Sequence, residues 1–147
     1  MIDKKDYKIL DILKQNARLS SQDISKKTLI PVTTVYNRMK KMENLGIIKN
    51  YTVVLDHKKL GKELAAYILV TVDYKLLKEK GLTQHEVANK LSNHDFVEEV
   101  AMITGASDII LKVRVSNMSE LDNFVTKYLR NVDGVERTQT SVVLSTF

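Results

Sequence analysis

The stretch Leu19–Tyr51, LSSQDISKKTLIPVTTVYNRMKKMENLGIIKNY, decides the reading of this chain. It predicts two short helices joined by a tight turn, followed by a strand. Ser20 opens the first of these helices with Asp23 three residues on, a capping box in which Asp replaces Glu or Gln. Ile24 and Thr28 then face inward. Pro31 suits the first turn of the next helix, where its missing N–H costs nothing, and that helix runs to about Asn44 before Gly46 stops it. An earlier helix starts at Asp3, a good N-cap, and buries Ile9, Leu10, Leu13 and Ala17 at helical spacing. Ile47–Leu55, rich in β-branched residues, reads as a strand.

In the helix that follows Pro31, the residues Val32, Val35, Met39 and Met42 form one stripe at about 100° per residue and should face the core. Thr33, Asn37 and Lys40 then lie nearly opposite. Thr34, Tyr36 and Lys41 flank them, and Arg38 sits nearer the core edge. Amides and hydroxyls read base edges, while Lys and Arg neutralise phosphates. Standing alone, such a face is the solvated side of an ordinary surface helix. The preceding helix, the turn and the expected strand shift the reading to a helix-turn-helix that places this face in a DNA major groove.

Charge is divided in the same direction. Residues 1–60 hold 13 Lys and Arg against 6 Asp and Glu, whereas residues 61–147 hold 10 against 12. The overall charge of +5 therefore averages a basic N-terminal part and a mildly acidic remainder, as expected for a polyanion-binding module joined to something with another task.

The second part reads strand (64–72), helix (83–92), strand (96–104), strand (108–115), helix (117–130) and strand (135–144), with Gly105-Ala106-Ser107 as a turn. Asp95–Val100, DFVEEV, is echoed 38 residues later by Asp133–Thr138, DGVERT, each copy following a helix and opening a strand. A doubled strand–helix–strand unit is what a ferredoxin-like β-α-β-β-α-β sandwich requires. Its second sheet face needs covering, and another copy of the chain is the simplest cover. The expected fold is α+β: a (winged) helix-turn-helix domain over residues 1–50, a strand and linker over 51–62, and the ferredoxin-like domain over 63–147.

The segment TTVYNRMKKMENLGII, residues 33–48, resembles the feast/famine, or leucine-responsive (Lrp/AsnC), family of prokaryotic transcriptional regulators. Thr34, Val35, Arg38, Met39, Met42, Gly46, Ile47 and Ile48 fit the family's pattern. The T-G-x-x-D loop is also present as Thr104-Gly105-Ala106-Ser107-Asp108, in the expected order and spacing. The resemblance implies a sequence-specific regulator that binds double-stranded DNA and assembles as a homodimer or as an octamer. It also implies an amino-acid effector held between dimers by Thr104, Gly105, Ala106, Ser107 and Asp108, with Met102 and Arg130 lining the pocket. A glycine turn exposes N–H groups to an α-carboxylate, and Asp108 can pair with an α-amine. Equally, Gly105 can serve only the turn and Asp108 only cap it. Leu29 and Pro31 depart from the family's usual Gly and Ser, which strains Leu29 if the turn needs a positive φ. Ser107 replaces a usual aromatic, which fits a small polar ligand or a loss of effector binding.

Other classes find little support. The chain has no cysteine, no apolar run long enough for a membrane span and no apolar leader in MIDKKDYKIL, so a cytoplasmic location with no membrane partner is expected. His57, His85 and His94 are scattered rather than spaced for a metal, and the adjacent Glu98 and Glu99 point to opposite faces of a strand. No phosphate loop or nucleophile motif marks an enzyme, and no cofactor is expected. An architectural DNA binder with little sequence preference, and a metabolite sensor that no longer binds DNA, remain as alternatives.

Overall fold

The computed structural model describes residues 1–147, which divide into two compact units, Met1–Leu55 and Asp56–Phe147. The first unit holds three helices: α1 (Lys4–Gln15), α2 (Ser21–Thr28) and α3 (Val32–Asn44). Local chemistry sets their ends. Asp3 caps α1 reciprocally with Asp6, and Ser20 caps α2 reciprocally with Asp23, so orphan N–H groups at both helix starts are satisfied. Ile9, Leu13, Ile24, Ile30, Val35 and Met42 form the buried core of the unit, with Leu10 and Met39 partly buried against it.

Four expectations for this unit need correction. Val32 is 40 % exposed, because the core reaches α3 only at Val35 and beyond. Ala17 lies past the end of α1 and Thr28 is only half-buried, its hydroxyl bonded back to the Ile24 carbonyl at 2.8 Å. The expected strand Ile47–Leu55 is absent. Ile47 and Ile48 turn back to donate to the Met42 carbonyl, and residues 49–55 make no backbone–backbone hydrogen bond. A strand needs a partner ladder, and this three-helix unit offers none within the chain.

The second unit is built on a four-stranded antiparallel sheet of β1 (Leu64–Val72), β2 (Val97–Met102), β3 (Ile109–Val115) and β4 (Val135–Val142), in the order β2-β3-β1-β4. That order, with helices between β1 and β2 and between β3 and β4, is the ferredoxin-like sandwich. Alternation along the strands decides which face is covered. Ala66, Ile68, Val70 and Val72 of β1 and Ile109, Leu111, Val113 and Val115 of β3 are buried in one core with Leu77, Val87, Leu91, Leu121, Phe124 and Leu129 from the helices. The sequence echo is structural. Val97 and Val135, equivalent positions in its two copies, are the first residues of β2 and β4, the two edge strands.

The first crossover contains a helix not anticipated, α4 (Tyr74–Lys80), capped by Asp73 and ended by Gly81 at φ +66°, before α5 (Gln84–Ser92). The second crossover is not one continuous helix. Regular α-helix ends after α6 (Met118–Asn123), and a π turn (Phe124–Tyr128) and a 3-10 turn (Leu129–Asn131) follow. The altered winding places Phe124 and Tyr128 against His94, with ring centroids 4.8 and 4.3 Å away.

Candidate nucleic-acid interface and effector loop

The turn between α2 and α3 is held by two hydroxyls. Ser25 Oγ donates to the Ile30 carbonyl at 2.6 Å, and Thr28 Oγ1 accepts from the Ile30 N–H at 3.3 Å. Between them Leu29 takes the left-handed conformation, φ 59° and ψ 20°, with its side chain 90 % exposed. The turn therefore does demand a positive φ here, and a leucine supplies it. Pro31 caps α3 without a side-chain bond, so the first N–H groups of that helix have no side-chain acceptor.

Anchored by Val35 and Met42, α3 leaves Thr33, Tyr36, Asn37, Lys40 and Lys41 exposed and Thr34 half-buried. Its charges are less free than the sequence suggested. Lys40 Nζ pairs with Glu43 at 3.0 Å and stands 6.0 Å from the Tyr36 ring centroid. Glu43 also accepts from the Tyr51 hydroxyl at 2.8 Å. These partners hold the Glu43 carboxyl below the usual range, Lys40 first, while burial and then the Glu43 contact push the Tyr51 phenol up to about 12. Lys41 Nζ donates to the Met1 carbonyl at 3.0 Å.

Arg38 is turned inward. Its Nη1 donates to Asp3 at 2.7 Å and Asp6 at 2.9 Å, and Asp6 is 1 % exposed. The sequence reading set Arg38 on the DNA face near the core edge. The geometry commits its guanidinium to α1, because a buried carboxylate requires a cation or donors. Nothing in the spacing of residues 3, 6 and 38 signalled this contact, nor that of Glu43 with Tyr51.

In the second unit, the segment Thr104–Asp108 joins β2 to β3, with Gly105 at φ +115°. Asp108 fastens it. One carboxylate oxygen accepts from the Val72 N–H at 2.8 Å and the other from the Tyr74 hydroxyl at 2.8 Å. The backbone of Asp108 is held as well: its N–H donates to Val70, and its carbonyl accepts from Ile103 N–H and from Gln84 Nε2 at 3.1 Å. The contact with Asp108 is the main reason the Tyr74 phenol is pushed up. Tyr74 and Gln84, 34 and 24 residues from Asp108, went unnoticed in the sequence.

Ala106 and Ser107 border a cleft of about 370 Å³ shared with Leu69 and Thr71 of β1 and with Arg137, Thr138 and Gln139 of β4. Met102 and Arg130 are both exposed but neither lines it, so the cation beside this cleft is Arg137.

Comparison with known proteins joins the two units under one description. Residues 2–49 match the winged helix-turn-helix DNA-binding family model, and residues 65–147 match the Lrp/AsnC ligand binding domain. An uncharacterised HTH-type transcriptional regulator of Pyrococcus horikoshii is 40 % identical over 142 residues, 97 % of this chain and 92 % of that protein. Among solved structures, the Neisseria meningitidis regulator NMB0573 in complex with L-Met aligns with a TM-score of 0.87 at 26 % identity, covering 99 % of this chain and 91 % of that one. Escherichia coli AsnC aligns with a TM-score of 0.84, also at 26 % identity, covering 99 % and 94 %. With one unit matching the family's ligand-binding domain, the other a helix-turn-helix, and relatives spanning nearly its whole length, the chain belongs to the Lrp/AsnC family of DNA-binding transcriptional regulators.

Proposed function

We propose that the protein is a sequence-specific regulator that binds double-stranded DNA as a homo-oligomer and responds to an amino acid held at the Thr104–Asp108 loop. The observation that carries the DNA assignment is the division of α3. Val35 and Met42 fix it in the core, while Thr33, Tyr36, Asn37, Lys40 and Lys41 stand in solvent on the same helix. Hydroxyl and amide groups supply base-edge contacts, the lysines supply phosphate contacts, and Thr34 lies at their margin. Arg38 contributes by holding α3 on α1. A gel-shift titration of the protein carrying Asn37→Ala and Lys40→Ala together tests this. Unchanged affinity for a selected operator would remove α3 from the interface.

Oligomerisation is supported by surface left without a partner in the chain. Val53 and Val54 are 71 % and 101 % exposed on a segment whose backbone is unpaired, beside a trough of about 760 Å³ also lined by Leu10, Leu13, Ile47 and Ile48. A two-fold dimer would present two recognition helices to half-sites roughly one DNA turn apart.

The effector assignment draws on the L-Met complex of the neisserial regulator and on the loop chemistry. In this reading the exposed backbone around Gly105 receives the α-carboxylate. Asp108, both oxygens already engaged, has only its remaining lone pairs for an amine. The ligand would act by binding one assembly more tightly than another. Thermal unfolding against each of the twenty amino acids tests it. A binder at a hundredfold its dissociation constant adds about 2.7 kcal/mol, and twenty flat curves would reject the effector.

A further inference from the structure

The one residue of the α3 stripe that misses the core is its first. Val32 opens the helix, 40 % exposed, and the residue one turn on along the same row, Tyr36, is 53 % exposed. A row of Val32 and Tyr36, continued by Lys40, therefore runs beside the polar row of Thr33 and Asn37. Single exposed apolar residues are common on any surface. These two differ by their place, because the N-terminal residues of a recognition helix are the ones that meet base edges. The chemistry of that groove is narrow. The thymine 5-methyl is the one methyl group that a base pair presents in the major groove; apart from the small C5–H of cytosine, the other edge groups are hydrogen-bond donors and acceptors. A Val side chain can satisfy none of the donors or acceptors, and would desolvate them at a cost if set against a G·C pair.

We propose that Val32 and Tyr36 are specificity-determining residues that read thymine through its 5-methyl group, so that each half-site carries an A·T pair opposite the first two turns of α3. Asn37, in the adjacent row, has the donor and acceptor that an adenine edge requires, so both rows select the same kind of base pair. The inference rests on the reading of α3 as the DNA-binding helix and goes beyond it, since a helix that merely sits in the groove would be indifferent to the methyl.

The test uses the full-length protein. Binding sites are first enriched from a random duplex library, and each thymine of the enriched site is then replaced in turn by deoxyuridine, which removes only the methyl. One or two positions per half-site should lose roughly fourfold in affinity, the worth of one buried methyl. That penalty should shrink towards unity in Val32→Ala or Tyr36→Ala. Because the penalty is a ratio between two DNAs bound by the same protein, a general loss of stability in either variant does not move it. A wild-type protein indifferent to every deoxyuridine, or a penalty that persists unchanged in both variants, overturns the proposal while leaving α3 in the groove. Failure to enrich any sequence overturns the sequence-specific reading beneath it, and the proposal with it.

Discussion

The Arg38 guanidinium reaches back 32 residues to hold Asp6, Nη1 to Oδ1 at 2.9 Å, and Asp6 is the one charged side chain buried in the protein. Asp6 also closes the capping box of α1, accepting from the Asp3 N–H at 2.9 Å. One carboxylate thus caps the start of α1 and fastens α3 to it. Removing Asp6 leaves Arg38 paired with Asp3 alone and takes the cap acceptor from the Asp3 N–H. Asp6→Ala should destabilise the first unit by about 1–2 kcal/mol, measured by urea unfolding, and a change within error would mean that neither the cap nor the Arg38 contact contributes to stability.

The second carboxylate on Arg38 gives a pH signature. Hydrogen bonding to Arg38, foremost, brings the Asp3 pKa from 3.8 down to about 2. A folded carboxyl with a depressed pKa stabilises above its unfolded pKa, and that contribution disappears as the pH falls through the folded value. Wild-type protein should therefore melt higher than Asp3→Asn at neutral pH. The gap should narrow as the pH falls below about 4 and close near about 2. Parallel melting curves over that window would assign the acid transition to other groups.

At the turn, Leu29 carries a local cost that the surrounding fold holds in place. A non-glycine residue in the left-handed region is disfavoured by roughly 1–2 kcal/mol, of which glycine's extra chain entropy returns roughly 0.5–1. The side chain is 90 % exposed, so little packing is lost with it. Leu29→Gly should stabilise the protein by about 0.5–1 kcal/mol, read as a higher urea midpoint with an unchanged slope. A lower midpoint would show that the leucine side chain makes a contact worth more than the strain.

Signals that act within a few residues were legible in the sequence. The capping box at Ser20 and Asp23, the α1 start at Asp3, the stop before Gly46 and the strands placed at 64–72 and 108–115 all stand in the structure. Legibility failed where the deciding partner is distant or missing. Ile47–Leu55 has strand propensity, but propensity cannot supply a ladder. Val32 obeys the helical period, but the core begins one turn later. Helix α4 buries only Leu77, too little for a periodic pattern, though Asp73 and Gly81 mark its ends. The Thr104–Asp108 loop could be located from its residues, whereas Tyr74 and Gln84, which clamp it, are brought there by the first crossover alone.

The pairing of Lys40 with Glu43 has a consequence for DNA affinity. In the free protein the Lys40 ammonium is already matched by a carboxylate 3.0 Å away, and Tyr51 holds that carboxylate from its other oxygen. A phosphate must displace Glu43 or tolerate its charge beside the backbone. Glu43→Gln removes the charge, keeps the side-chain length and still leaves an oxygen to accept from Tyr51. If Lys40 then engages a phosphate it did not engage before, one further counterion is released, and the slope of log affinity against log salt should steepen by about 0.9. Affinity should rise most at low salt and converge with wild type at high salt. Gel-shift titrations at four salt concentrations measure both. A slope unchanged from wild type would place Lys40 away from the phosphates, and Lys40→Ala should then leave the slope unchanged as well.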